Sequence, residues 1–348
     1  MPARSARRVT AYDEPVRILV TGAAGFIGSN FVHYWLEGHP DDHVVALDLL
    51  TYAGNRANLQ AVEDRVPFVQ ADIGDLGVVE TTLREHEIEA IVNFAAESHN
   101  SLAVIDPGLF ARTNVLGTQL LLEAARQAEV ERFHHISTCE VYGDLPLESD
   151  ETFSEESPYR PRTPYNASKA AADHFVRAYF ETYGLPATIS NCSNNYGPYQ
   201  FPEKVIPLFV THALDDDPLP LYASTQNRRE WLHVLDHCHA IELVLTDGKI
   251  GETYNVGSGV EKSIEEIADA VLELTDKPES LKTIVPDRPG HDRRYLLDST
   301  KLREELGWRD EIAFADGLAE TVRWYRANRV WWEPLRERAP VVETSSWS

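Results

Sequence analysis

Tyr165 and Lys169 are the residues in this sequence whose types and spacing speak most directly of chemistry. On a helix, positions four apart share a face. An ammonium beside a phenol favours phenolate and brings the phenol pKa down from about 10, so such a tyrosine can take a proton from a hydroxyl near neutrality. That is the base needed where hydride leaves the same carbon for a dinucleotide. The pattern alone occurs by chance on many surface helices, and it gains weight from a second motif upstream, Gly22-Ala-Ala-Gly25-Phe-Ile-Gly28. Gly22 permits a tight turn, Gly25 lets backbone amides approach a pyrophosphate, and Gly28 allows close helix–strand packing. The partial positive charge at the following helix N-terminus favours phosphate. Asp48 lies about twenty residues further on, where a carboxylate accepts both ribose hydroxyls and would repel a 2′-phosphate. The expected dinucleotide is therefore NAD. The bland alternative, a glycine-rich turn with no ligand, leaves the strand, helix and acid in register without a reason.

The elements that position these residues follow from hydrophobic periodicity. Short apolar runs at 17–21, 43–48, 67–70, 90–94 and 133–137 read as buried strands. Helical spacing separates them at 26–37, 76–86 and 107–128, the last with Leu116, Leu120 and Leu121 on one face. This alternation predicts an α/β fold, a Rossmann-type doubly wound parallel sheet covered by helices on both faces. From Pro198 onward prolines become dense, and shorter helices follow at 263–274, 300–306 and 314–327. That part reads as a smaller, mixed C-terminal lobe laid over one sheet edge, with segments crossing back. The expected division is a flexible tail at 1–15, an NAD-binding domain at 16–197, a second lobe at 198–335 and a flexible tail at 336–348.

The 348 residues, 43% hydrophobic and 25% charged, are ample for two cores. A formal charge of −24 disfavours nucleic acid and anionic lipid as partners. Three cysteines without metal-type spacing argue against a disulfide framework and a structural metal, and fit a cytoplasmic protein. No run is long enough for a membrane span, and the first residues lack the apolar stretch of a signal peptide. The histidines show no ligand spacing; His99 and His135 read as hydrogen-bonded structural residues rather than acid–base groups, Cys192 and Cys238 as core thiols, and Asp215-Asp-Asp217 as a solvated turn.

Further motifs make the sequence resemble a known family. Asp48-Leu-Leu-Thr-Tyr-Ala-Gly-Asn55, Ala95-Ala-Glu-Ser-His99, Ile136-Ser-Thr-Cys-Glu-Val-Tyr-Gly143, Asn194-Asn-Tyr-Gly-Pro-Tyr-Gln-Phe-Pro-Glu-Lys204 and Asp287-Arg-Pro-Gly-His-Asp292 are similar to those of the dTDP-glucose 4,6-dehydratases, extended short-chain dehydrogenases/reductases. The resemblance implies a dinucleotide site of Gly22, Gly25, Phe26, Ile27, Gly28, Asp48, Thr51, Asp72, Ile73, Ala95, Ala96, Thr113, Tyr165, Lys169 and Asn195. It implies a catalytic set of Thr138, Cys139, Glu140, Tyr165 and Lys169. A dTDP- or UDP-linked hexose would be held by Ser98, Thr138, Asn194, Lys204, Val205, Pro220, Tyr222, Arg229, Asn255, Asp287, Arg288 and His291. Arg229 and Arg288 would meet the pyrophosphate, which reconciles an acidic chain with an anionic ligand. In the implied reaction NAD+ takes hydride from C4 beside Tyr165 and Thr138, Glu140 removes the acidified C5 proton, water leaves across C5–C6, and the hydride returns to C6. A homodimer through 107–128 and 163–183 is also implied.

The sequence departs from that pattern. Cys139 stands where the family's aspartic acid protonates the departing C6 hydroxyl. A thiol has a pKa near 8.5 against about 3.9 for Asp, so it is the weaker acid by more than about four units. Asn100-Ser-Leu-Ala103 replaces the usual V-D-R-S, Tyr222-Ala-Ser-Thr225 the usual Y-G-D-G, and Glu230 an Asp. A cysteine at position 139 resembles the related 5,6-dehydratases that return hydride to C4 and leave an exo-glycal. That outcome, and a catalytically silent binding paralogue, remain as alternatives; Glu140 argues against a 4-epimerase, which needs no base at C5.

Overall fold

Apolar runs buried on both faces require helices above and below. The computed structural model describes residues 15–287 and 289–338, so the 1–14 and 339–348 parts of the expected tails and Arg288 lie outside the described residues. The strands are β1 (Arg17–Thr21), β2 (His43–Asp48), β3 (Phe68–Gln70), β4 (Ala90–Asn93), β5 (Arg132–Thr138), β6 (Ala187–Cys192), β7 (Asn194–Tyr196), β8 (Leu219–Tyr222), β9 (Arg228–His233), β10 (Thr253–Val256), β11 (Glu261–Ser263) and β12 (Lys282–Val285). The helices are α1 (Phe26–Gly38), α2 (Leu76–Glu85), α3 (Asn100–Ile105), α4 (Pro107–Phe110), α5 (Thr118–Gln127), α6 (Pro164–Tyr183), α7 (Val205–Leu214), α8 (Val234–Thr246), α9 (Ile264–Thr275), α10 (Thr300–Glu305), α11 (Phe314–Ala327) and α12 (Arg329–Arg338).

Seven strands form one parallel sheet in the order β10-β6-β5-β4-β1-β2-β3. Chain order reverses between β1 and β4, which opens a crevice at the carboxyl ends of those strands, the usual place for a ligand in such sheets. One apolar layer packs Leu19, Ile91, Leu121, Phe133 and Val176; the opposite layer packs Val20, Phe31, Trp35, Val92 and Ile241. The segment carrying α8 and β10 belongs with this sheet: β10 pairs with β6, and Val234, Cys238, Ile241 and Leu245 of α8 lie in the second layer.

The remainder is built around β11-β9-β7, the parallel pair β12-β8, and helices α7, α9, α11 and α12. Ser263 and Glu266 form a reciprocal cap at the start of α9, satisfying two orphan amides. Trp332 of α12 is fully buried in this third cluster.

Three local expectations are corrected. Helix 107–128 is one path but not one helix: α4 passes through a π turn at Ala111–Gly117 into α5. The wider turn shifts the helical face, so Leu121 is buried while Leu116 is 53% exposed. The Asp215-Asp-Asp217 turn is not merely solvated. Asp215 accepts from Arg329 at 2.6 Å and from Arg336 at 2.5 Å, and Asp217 from Arg336 at 2.7 Å, which fastens α12 to the turn after α7. Residues 336–338, expected in the tail, are the last residues of that helix.

Candidate active site

Above the crevice lies a cavity of about 390 Å³. The β1–α1 turn forms one wall. Gly22 has φ +63, and a Cβ there would stand 2.7 Å from the Ala95 amide nitrogen; a Cβ on Gly28 would stand 2.3 Å from the Gly22 carbonyl oxygen. Only glycine fits either place, because the obstacle is backbone. The Asp48 carboxylate ends β2, lines the cavity, and is oriented by two amides: Ala24 N donates to Oδ2 at 2.9 Å and Leu50 N to Oδ1 at 2.7 Å. Burial nevertheless pushes its pKa up. A buried carboxylate held this way has lone pairs to offer a diol. All fifteen residues expected for the dinucleotide line this one cavity.

The catalytic set closes the same cavity. β5 ends at Thr138, whose Oγ1 accepts from Glu140 N at 3.3 Å and starts a 3-10 turn, Cys139–Tyr142. That turn delivers Cys139 and Glu140 to the cavity wall. Tyr165 and Lys169 reach it from α6, whose N-terminus is fixed by Thr163 capping Asn166 N. Lys169 is buried; its Nζ donates to Ile136 O at 2.7 Å and lies 3.2 Å from His135 Nε2. Burial lowers its pKa to about 8.

The electrostatics differ from the sequence argument. Burial first, and then the Glu140 carboxylate, push the Tyr165 phenol well above its ordinary value, and the Thr138 hydroxyl is what favours phenolate. Among the chain's own groups desolvation dominates at the phenol, and Lys169 is not one of the leading influences on it. Burial, with Glu140 next, likewise raises the Cys139 thiol well above its usual pKa, so it is held protonated. Burial pushes His135 well below the ordinary imidazole value, and the neutral ring sits between Lys169 and Asn93 Nδ2.

Of the sugar-nucleotide set, Ser98, Thr138, Asn194 and Lys204 line the cavity; Val205, Pro220, Tyr222, Arg229, Asn255, Asp287 and His291 do not. Arg229 donates to Arg228 O at 2.7 Å, Asp292 O at 2.7 Å and Arg293 O at 3.2 Å, with its guanidinium over Tyr295. Asn255 is fully buried between Tyr142 Oη and the Phe153 carbonyl. Tyr222, Asp287 and His291 gather around Ser224, whose Oγ donates to Asp287 at 2.6 Å and lies 3.1 Å from His291 Nδ1. These are side-chain networks, which linear spacing does not reveal. Glu230 is fully buried and accepts from Gly259 N at 2.6 Å and Leu297 N at 3.0 Å.

Among the cavity residues that were not anticipated are Glu97, Asn100, Glu203 and Cys192. Cys192, expected as a core thiol, lies at the end of β6 opposite Thr138 and so faces the site. Glu97 and Glu203 sit inside the quoted motifs, beside Ser98 and Lys204, and that adjacency was the available signal.

A family model, GDP-mannose 4,6 dehydratase, matches residues 19–321. The chain belongs to that family. It is 50% identical over 327 residues to a dTDP-glucose 4,6-dehydratase of Streptomyces niveus, covering 92% of this chain and 96% of that protein. A solved dTDP-glucose 4,6-dehydratase from Streptomyces venezuelae with NAD bound superposes with a TM-score of 0.89 at 52% identity, over 92% of this chain and all of that one. The corresponding Bacillus anthracis structure, also with NAD, gives 0.86 at 44% identity over 92% and 99%.

Proposed function

We propose that this protein is an NAD-dependent nucleotide-sugar dehydratase of the dTDP-glucose 4,6-dehydratase type. The observation that carries the reading is that Tyr165, a base for a hydroxyl, and Glu140, a base for a carbon acid, line one cavity whose other wall is the glycine turn and Asp48. The glycine positions that backbone closes off and a buried carboxylate open to a diol fit a dinucleotide. NAD, when bound there, supplies a reversible two-electron acceptor and a positive charge of the sign that favours phenolate.

The chain's own groups then have distinct tasks. Thr138 and Tyr165 hold the C4 hydroxyl, and Tyr165 takes its proton. The resulting ketone acidifies C5–H, and Glu140 takes that proton. Cys139 gives its proton to the C6 hydroxyl, which leaves as water. Glu140 returns its proton to C5 when C6 is reduced; Tyr165 then has gained one proton and Cys139 lost one, so the cycle closes when a proton passes between them. The dinucleotide side of this reading rests on residues 16–197, and the sugar side on Ser98, Thr138 and Asn194 of the same span with Lys204 of 198–335.

Incubation with dTDP-glucose in heavy water tests the assignment, with a UDP-linked hexose in parallel. Loss of water with deuterium at C5 is expected, without net reduced dinucleotide. Glu140→Gln should keep C4 oxidation and abolish C5 exchange. Unchanged sugar, or full turnover by Glu140→Gln, would refute the mechanism.

Cys139 in place of the family's aspartic acid motivates a second reading, a 5,6-dehydratase whose product keeps the exocyclic alkene. A C6 methyl signal in the product's proton spectrum marks the first outcome, vinyl signals the second. A homodimer and a cytoplasmic location complete the proposal. Exposed Ile105, Leu116, Phe175 and Tyr183 on α3, the π turn and α6 support the former, and three free thiols the latter. Among the described residues no helix is long and apolar enough to cross a membrane. A scattering mass of one chain in solution would remove the dimer.

A further inference from the structure

Asn100 has no part in the mechanism above, yet its side chain touches the carbon base. Its Nδ2 donates toward Glu140, 3.1 Å from Oε2 and 3.4 Å from Oε1. Its Oδ1 accepts from Thr163 Oγ1 at 3.3 Å, which decides which end of the amide faces the carboxylate. Thr163 Oγ1 also accepts from Asn166 N at 3.2 Å, capping α6. A continuous path of hydrogen bonds thus runs from the N-cap of the helix carrying Tyr165 and Lys169 to the Glu140 carboxylate.

We infer that Asn100 is a positioning residue for Glu140, fixing the direction of its carboxylate from an anchor on the same helix that places Tyr165. The inference rests on the reading of Glu140 as the base for C5. A glutamate side chain has three torsions, and a carboxylate removes a proton from carbon only along a lone pair aimed at it. Among the groups close enough to feel its charge are Cys139 on its own turn, Tyr165 on α6, Cys192 at the end of β6 and Tyr295 beyond β12. Each is a neutral acid, and deprotonation of any of them would repel the carboxylate. Asn100 is different: it donates without ever becoming a competing base, and its hydrogen bond favours ionised Glu140. The valine of the V-D-R-S pattern has no donor to offer here, so this clamp is a property of the present chain. It also restrains Glu140 next to a thiol that gives less help to the leaving hydroxyl than a carboxylic acid would.

The test uses the full chain with its dinucleotide bound and the variants Asn100→Val and Asn100→Asp, the second nearly isosteric. In single turnover, Asn100→Val should lower C5 exchange by about 10- to 100-fold and change C4 oxidation by less than about threefold, the signature of a misdirected base rather than a damaged fold. The acid limb of the exchange rate should move to higher pH by roughly half a unit to one unit, and further in Asn100→Asp, where two carboxyls share a site. Equal loss of both steps, or exchange and pH limb unchanged in the folded variants, overturns the inference. Carbon-13 titration of the Glu140 carboxyl, assigned by subtracting the Glu140→Gln spectrum, reads the clamp without turnover. A higher midpoint in Asn100→Val supports it and an unchanged midpoint refutes it. Failure of the dehydratase reading instead appears in the unmodified protein, as absence of C5 exchange.

Discussion

Cys139→Asp is the substitution whose outcome bears most on how the site works. The thiol is 1% exposed, packs against Val141, Tyr142, Ala170, Tyr295 and Leu297, and is held protonated by burial and by Glu140. As an acid it starts more than about four units weaker than a carboxyl. If roughly half of such a difference is felt in the transition state, restoring Asp speeds protonation of the C6 hydroxyl by about 100-fold, inside the usual range for acid–base catalysis. The same carboxyl enters a nearly dry pocket and costs stability, on the order of 1–3 kcal/mol. Rapid-quench analysis of dTDP-glucose turnover, with NMR of the product, separates these effects, and a denaturant titration measures the second. A faster elimination step with a less stable fold is expected. Identical rate and product in the folded variant would show that Cys139 takes no part in proton delivery.

Two further predictions follow from packing. Glu230, fully buried, has its pKa raised by burial to about 7 against an unfolded value near 4.3, despite two amide donors. The folded state therefore holds the proton more tightly: the contribution is present in full below about pH 4 and is lost as pH rises through about 7, a swing on the order of 3 kcal/mol. Denaturant titrations of the parent and Glu230→Gln at pH 5.5 to 8.5 should show the parent losing stability relative to the non-titrating variant as pH rises; a constant difference would contradict the assignment. Gly28→Ala places a Cβ 2.3 Å from the Gly22 carbonyl and 3.1 Å from Ala23 Cα, so the turn must open. About 1–3 kcal/mol of stability should be lost along with the nucleotide that co-purifies, measured by absorbance after denaturation, and full retention of both would refute the close-approach argument.

The sequence by itself determined the strand–helix alternation, the glycine turn, Asp48 at the end of β2, and the Tyr165–Lys169 face. Each is local: periodicity reports which side of an element is buried, and glycine reports where backbone leaves no room for a Cβ. For the same reason most strand positions and the cavity's cofactor wall were legible before any coordinates. Tertiary structure alone decided which donors were still available for a ligand. Arg229 has a guanidinium suited to phosphate, and the carbonyls of residues 228, 292 and 293 take part of its donor set. The Lys169 ammonium, expected to tune Tyr165, donates to Ile136 O, and desolvation dominates at the phenol. Asn100 reads as a mere departure in one dimension and becomes the partner of Glu140 only when α3 meets the turn after β5. Hydrogen bonds and desolvation depend on what surrounds a group from every side, and that is settled only when distant segments close around it.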